Sequence, residues 1–231
     1  MVALLLLTAL VGCSSRTAQP TPGKAPEEER VAVAALRGRS GSSLTVRDAA
    51  SRIRVELATL PGLLYRISTP AGSGLAPRVT GANGRLVASL LPTGGDGPDE
   101  VRIVLNRDVR WQLDLPAGAG EQQLDLRRGR VSRLDLGASG LVELRLPKPD
   151  TIVPITLRGG VGGVLITAEP GTPLRVRLDR GAGSWLGGAP AAPGTVRQVG
   201  ARPGTLAGYG IRARSSVGSF AVRTAPPRPA D

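Results

Sequence analysis

The sequence predicts an all-β protein, a β-solenoid built from repeats of about 21 residues with two strands each. Three observations predict it. Leu115, Leu136, Leu157 and Leu178 recur at intervals of 21, and the residues two before them, Leu113, Leu134, Ile155 and Val176, are also aliphatic. The intervening residues, Asp114, Asp135, Thr156 and Arg177, are polar, which is the in-out-in alternation of a half-buried strand. A glycine corner follows each of these strands: Gly118-Ala-Gly120, Gly137-Ala-Ser-Gly140, Gly159-Gly-Val-Gly-Gly163 and Gly181-Ala-Gly183. Glycine at a fixed phase of a repeat marks a tight turn or a close rung-to-rung contact.

A second set of strands lies between the first: Ile103/Leu105, Leu124/Leu126, Leu144/Leu146 and Val164/Ile166, at spacings of 21, 20 and 20. A two-strand unit of this size cannot bury its own apolar face, so the units must stack and share a core. Regular repeats span residues 101–184 within a solenoid domain over 44–223. Upstream, Ile53/Val55/Leu57, Leu64 to Ile67 and Leu86 to Leu91 read as less regular strands. Downstream, residues 185–210 form a Pro/Gly-rich insertion, after which Ile211/Ala213, the corner Ser216 to Ser219 and Phe220/Val222 restore the pattern as a final turn. Residues 13–43 read as a flexible tether, in which Val31 to Leu36 has the length of a short helix too brief to stand alone, and 224–231, with Pro226, Pro227 and Pro229, as a disordered tail. The chain of 231 residues is 41% hydrophobic but only 2% aromatic, so Leu, Val, Ile and Ala must fill the core, with Trp111 in phase with the inward residues.

The segments Trp111-Gln-Leu-Asp-Leu-Pro-Ala-Gly-Ala-Gly120 and Leu174-Arg-Val-Arg-Leu-Asp-Arg-Gly-Ala-Gly-Ser184 resemble the bacterial toastrack, or adhesin-like, repeat domain. Similar repeats form the C-terminal domain of cell-envelope stress proteins that respond to wall-active antibiotics. The resemblance covers about residues 50–223. It implies a right-handed, single-stranded β-helix-like stack with no known catalytic residues. The chain departs from the stress proteins in lacking their N-terminal membrane helices.

Cys13 is the single cysteine, and Leu10-Val11-Gly12-Cys13 after the apolar run from Val2 to Leu7 has the shape of a lipobox. Residues 1–12 then read as a lipoprotein signal peptide and Cys13 as the lipidated residue, although no Lys or Arg supplies the usual positive n-region. The apolar segment is too short to span a bilayer, which takes about 20 residues. The expected location is extracytoplasmic, held to the bacterial cell membrane by the N-terminal lipid.

A net charge of +12, carried by 28 arginines and only Lys24 and Lys148, raises the question of nucleic acid. The arginines are scattered along the strands, often beside acids, and are not interleaved with stacking aromatics, so no nucleic-acid partner is expected. An anionic envelope polymer or an envelope protein suits the surplus charge better. The sequence names no oligomeric state.

Histidine is absent, which removes triads, Cys-His dyads and every histidine metal site. Neither Lys24 nor Lys148 is placed as a buried base. The one enzymatic route is carboxylate chemistry on an envelope polysaccharide. In the repeat register Asp114 and Asp135 sit one above the other, with Asp125 on a neighbouring strand and Glu143 nearby, near the separation that retaining glycosidases use. A solvated face offset by Arg110, Arg133 and Arg177 is the preferred expectation, and with it no catalytic residue. Asp96, Asp99 and Glu100 offer carboxylates for a calcium ion but match no established loop spacing, so a plain turn is expected. No cofactor is expected. Trp185 and Tyr209 bracket the insertion, either as lids over the end of the stack or as the rim of a partner surface. The expected function is a non-enzymatic interaction, adhesion or envelope-sensing module.

Overall fold

The computed structural model describes residues 29–200 and 207–225. Leu10, Val11, Gly12 and Cys13, with the leader and lipid expectations placed on them, lie outside the described residues, as does most of the expected tail. All eighteen elements among the described residues are strands, arranged in two nine-stranded sheets rich in parallel pairs.

Three regular turns occupy the middle. They are β8 (Arg110–Leu115) with β9 (Ala119–Asp125), β10 (Arg130–Leu136) with β11 (Ser139–Leu146), and β12 (Ile152–Leu157) with β13 (Val161–Ala168). The first strand of each turn joins one sheet and the second joins the other, so each turn is a rung whose inward residues meet across a shared core. The expected register is observed: Leu113 faces Leu134 and Leu115 faces Leu136, and these continue to Ile155 and Leu157. In the second sheet Leu124 faces Leu144, but Leu144 then faces Ile166, not Val164, which lies opposite Val142. A slip of two residues keeps every side chain on its own face, so alternation alone does not reveal it.

Rung order departs from chain order at both ends. β14 (Leu174–Leu178) and β15 (Ala182–Trp185) do not lie beside β12 and β13. The C-terminal pair, β17 (Gly208–Ala213) and β18 (Val217–Thr224), is inserted between them. Leu157 and Leu178 therefore both face Ala213, while Val164 and Trp185 face Phe220 and its strand from opposite sides. The expected final turn is thus an internal rung. The 185–210 insertion lets the chain turn back, and it places β16 (Thr195–Val199) antiparallel on the edge of β14, covering a strand edge that would otherwise be open.

At the other end β2 (Gly41–Val46) and β3 (Ala50–Ala58) form the rung beside β8 and β9, with Leu44 against Leu113 and Val55 against Leu124. β6 (Arg85–Pro92) and β7 (Glu100–Asn106) follow, so Ile103 shares the row of Leu124 but is separated from it by Val55. β4 (Leu63–Thr69), β5 (Leu75–Ala82) and the edge strand β1 (Arg30–Ala35) close this end in antiparallel pairs. Residues 30–43 therefore belong to β1, β2 and their connection and not to a tether, and Arg30–Ala35 form an edge strand in place of the short helix considered from the sequence over Val31 to Leu36. Ala32, Ala34 and Leu36 pack against the core while Val31 and Val33 face outward. Alternation carried by alanine is too weak to mark a strand in the sequence.

The interior is aliphatic, with Trp111 and Phe220 as its largest fully buried side chains. The indole Nε1 of Trp111 donates to the carbonyl of Asn106 at 2.9 Å. The Asn106 side chain in turn donates to the carbonyls of Leu60 and Leu63 and accepts from the Asp108 amide, so this buried amide is satisfied.

One corner between the sheets is a column of glycines. A Cβ placed on Gly120 would lie 2.7 Å from the carbonyl oxygen of Ser51, on Gly140 2.8 Å from that of Gly120, and on Gly162 2.6 Å from that of Gly140. On Gly218 it would lie 2.3 Å from the carbonyl oxygen of Gly162, and on Gly183 2.6 Å from that of Gly218. These contacts are with backbone, which cannot swing aside. The Gly162→Ala variant is accordingly expected to lose about 1–3 kcal/mol. Gly160→Ala, whose Cβ would meet nothing nearer than 4.0 Å, should stay close to wild type. Thermal melts followed by circular dichroism check the pair, and equal melting of both variants would contradict the column.

Candidate functional site

The outer faces of the two sheets carry the charged residues. Asp114 and Asp135 are register partners on β8 and β10, as the repeat requires. Arg158, at the corner after β12, reaches both, with guanidinium nitrogens 3.3 Å from Asp114 Oδ1 and 3.3 Å from Asp135 Oδ2. Arg133 Nε donates to Asp135 Oδ2 at 2.5 Å. Asp135 is only 4% exposed, yet its carboxyl is held below the usual range: burial pushes it up, but hydrogen bonds from Arg133 and Thr156 and the charge of Arg158 outweigh that. A glycosidase pair needs one carboxyl kept protonated as general acid, with a raised pKa. Here Asp135 is moved the other way and neutralised by two cations. The two aspartates and Arg158 instead clamp three consecutive rungs together.

Asp179 repeats the device at the inserted rung, accepting from Arg177 Nε at 2.8 Å and Arg212 Nε at 2.7 Å. The hydrogen bonds from Arg177 and then Arg212 hold its carboxyl low.

Asp125 and Glu143 do not join Asp114 and Asp135. They stand on β9 and β11, in the other sheet, so the four-carboxylate grouping expected from spacing is not formed. On that face Arg52 lies between Glu100 and Glu121 in register, pairing with Glu121 at 2.5 Å and Glu100 at 3.7 Å. Arg102 meets Glu56 at 3.4 Å, and Arg127 and Arg145 meet Asp125 at 2.5 and 3.8 Å. An open cleft of about 420 Å³ here is bordered by Arg54, Arg102 and Arg145 against Glu56, Asp125 and Glu143, three charges of each sign.

The alternative calcium site is not assembled. Asp96 is exposed in its loop, while Glu100 turns to Arg54 at 2.8 Å and to Arg52. Among the described residues no three acidic, histidine or cysteine side chains converge to hold a metal ion.

Trp185 and Tyr209 stand in different sheets, so they do not form one partner surface. Trp185 stacks on Phe220 with ring centroids 5.1 Å apart, a lid over the end of the core. Tyr209 is 5% exposed between Val153 and Leu174, and its hydroxyl donates to the carbonyl of Pro147 at 2.9 Å. Burial drives that phenol far above its ordinary range. Arg158 is the functional-looking residue that repeat reasoning passed over. It occupies the phase held by Pro116 and Gly137 in the preceding turns, where an arginine is the exception.

Comparison with known proteins agrees with this architecture. A family described as the N-terminal domain of toast_rack, DUF2154, matches residues 89–167, a stretch running from the end of β6 through β7 and the three regular rungs into β13. A crystal structure of a "putative cell adhesion protein" from Clostridium sporogenes ATCC 15579 is similar over 86% of this chain and 99% of that one, with a TM-score of 0.68 and 14% identity. A "putative adhesin" from Bacteroides fragilis NCTC 9343 aligns over 84% of this chain and 97% of its own at 10% identity, with a TM-score of 0.34. No curated protein matches. Residues 89–167 therefore match the toast_rack family model, and the chain has the β-solenoid-like fold of the Clostridium sporogenes structure.

The lowered carboxyl of Asp135 means that its stabilising contribution is present above the unfolded aspartate range, near pH 4, and is lost as pH falls through the lower folded value. Asp135→Asn is therefore expected to melt well below wild type at pH 7, with the gap closing towards pH 3. Melting curves across that range test this, and a gap independent of pH would contradict the assignment.

Proposed function

We propose that the protein is a lipid-anchored, extracytoplasmic, non-enzymatic interaction module of the bacterial envelope. The observation that carries the reading is the lacing of outward acids to arginines along both faces. Among the described residues it commits Asp114, Asp135, Asp179 and Glu121 to arginines that hold neighbouring strands together, not to acid-base chemistry. The fold it shares with a protein named as a putative cell adhesion protein supports the same reading.

Anchoring at Cys13 would deliver the chain into β1 at Arg30, which lies at one end of the stack. The intervening residues have a covalent reach of about 50 Å when extended. The lipid would then hold the rod by one end and present its faces to the space around the membrane, where an envelope polymer or protein is met and a sensing role would act.

Two measurements test this. The mass of the native protein recovered from membranes is expected to match a chain beginning at Cys13 plus acyl groups, and Cys13→Ser should leave the membrane fraction. An unlipidated chain retaining residues 1–12 would contradict the anchor. Purified protein should co-sediment with isolated envelopes without releasing reducing sugar. Sugar release that disappears in Asp114→Asn/Asp135→Asn would contradict the non-enzymatic reading.

A further inference from the structure

The strand order β10-β8-β2-β6 brings Arg130, Arg110 and Arg85 around one cleft of about 600 Å³ on the outer face of their sheet. In register, Arg130 faces Arg110, Arg110 faces Gly41, and Ser43 faces Arg85. Gly41, Ser43 and the neutral amide of Gln112 lie between them, so the space between the arginines carries no charge. A bulge at Ser132 widens it: pairing slips there, and β12 joins β10 only from Leu134 onward.

The cleft differs in charge from the one on the opposite sheet. That one matches three arginines with three acids, whereas no carboxylate lines this one. Arg85 and Arg130 pair with no acid among the described residues, and Arg130 reaches only the Asp108 carbonyl, at 3.4 Å. At the margin, Asp150 accepts from Arg110 at 3.0 Å, and its carboxyl is drawn down by that bond and by the charges of Arg110 and Arg130. An oxyanion of the chain itself therefore already sits on one of these arginines.

We propose that this cleft binds a linear phosphodiester polymer, with successive phosphates taken by Arg85, Arg110 and Arg130. The proposal names a partner for the interaction module and rests on that reading for where the polymer is met. Arg110 and Arg130 stand on adjacent strands and Arg85 two strands beyond Arg110, so the anchors span about 14 Å. That length suits a chain of charges better than one small anion. A tetrahedral phosphate accepts a guanidinium fork on one side and a hydroxyl on another, which uses Ser40 and Ser43 beside the arginines. A carboxylate holds its two oxygens in one plane, so a hydroxyl set off the plane of a guanidinium fork meets it less well than it meets a tetrahedral phosphate. With no aromatic in the lining, bases have no stacking platform, so the recognised feature is the backbone charge.

The test is calorimetric titration of the full chain carrying Cys13→Ser with a synthetic glycerol-phosphate hexamer. Arg85→Ala/Arg110→Ala/Arg130→Ala is compared with Arg54→Ala/Arg102→Ala/Arg145→Ala from the balanced cleft, since both remove the same charge. The first is expected to weaken binding at least tenfold and to flatten the salt dependence by a slope of about 2, the second less than threefold. Asp150→Asn is expected to tighten binding at least twofold. Should the alanine triple melt early, the triple Arg→Lys keeps charge and is still expected to lose more than threefold, because lysine lacks the fork. Equal losses in the two alanine triples, or no binding by wild type, would overturn the cleft and leave the module to its envelope co-sedimentation test. Tighter binding of a galacturonate hexamer or of an oligothymidylate of equal charge would overturn the ligand class.

Discussion

The corner glycines set the geometry on which the rest of the molecule depends. From Ser51 through Gly120, Gly140, Gly162 and Gly218 to Gly183, each rung brings a carbonyl oxygen to within 2.3 to 2.8 Å of where the next residue's Cβ would stand. Only a residue without that atom lets the backbones close to normal strand spacing while the chain turns from one sheet to the other. The approach is uniform along the column, so the rungs stay parallel. Every inward leucine and every outward acid inherits its neighbours from that spacing.

The aliphatic core and the ion pairs act on this frame differently. Leucine, valine and isoleucine rows fill the interior from both sheets and supply the non-directional burial that favours stacking. They do not distinguish one rung from another, since nearly any aliphatic row fits against any other. The arginine clamps are directional. Arg158 ties β8 and β10 to the β12 corner, and Arg212 ties β17 to Asp179 beyond β14. Exposed pairs of this kind contribute little each, but Asp135 is buried enough that its partners matter to the local fold. The same faces that serve as clamps leave one cleft, around Arg85, Arg110 and Arg130, with no acid in its lining and Asp150 at its margin.

The repeat made the phase of each strand legible. The row Leu115, Leu136, Leu157, the inward Trp111 and the stacked Asp114 and Asp135 all follow from a 21-residue period and are observed. Hydrophobic periodicity reports which side of a strand is buried, not which strand lies next to it. For that reason the insertion of β17 and β18 before β14 and β15, and of β2 between β6 and β8 with β3 between β7 and β9, stayed hidden. The distribution of Asp125 and Glu143 to the opposite sheet was hidden in part for the same cause, since spacing along the chain does not say which face a neighbour occupies. Tyr209 read as an end lid or a partner rim because it closes a Pro/Gly-rich stretch, and its internal position is recognised only once Val153 and Leu174 flank it.

Rung order is the central claim, and cysteine cross-linking tests it most directly. In a Cys13→Ser background, Thr156→Cys with Arg212→Cys joins register neighbours on adjacent strands, whereas Thr156→Cys with Arg177→Cys spans two strand steps, about 10 Å. A disulfide needs Cα atoms within about 7 Å. The first pair is expected to close on mild oxidation, and the second to stay reduced. Closure of the second pair and not the first would mean that the repeats stack in chain order, contradicting the inserted rung.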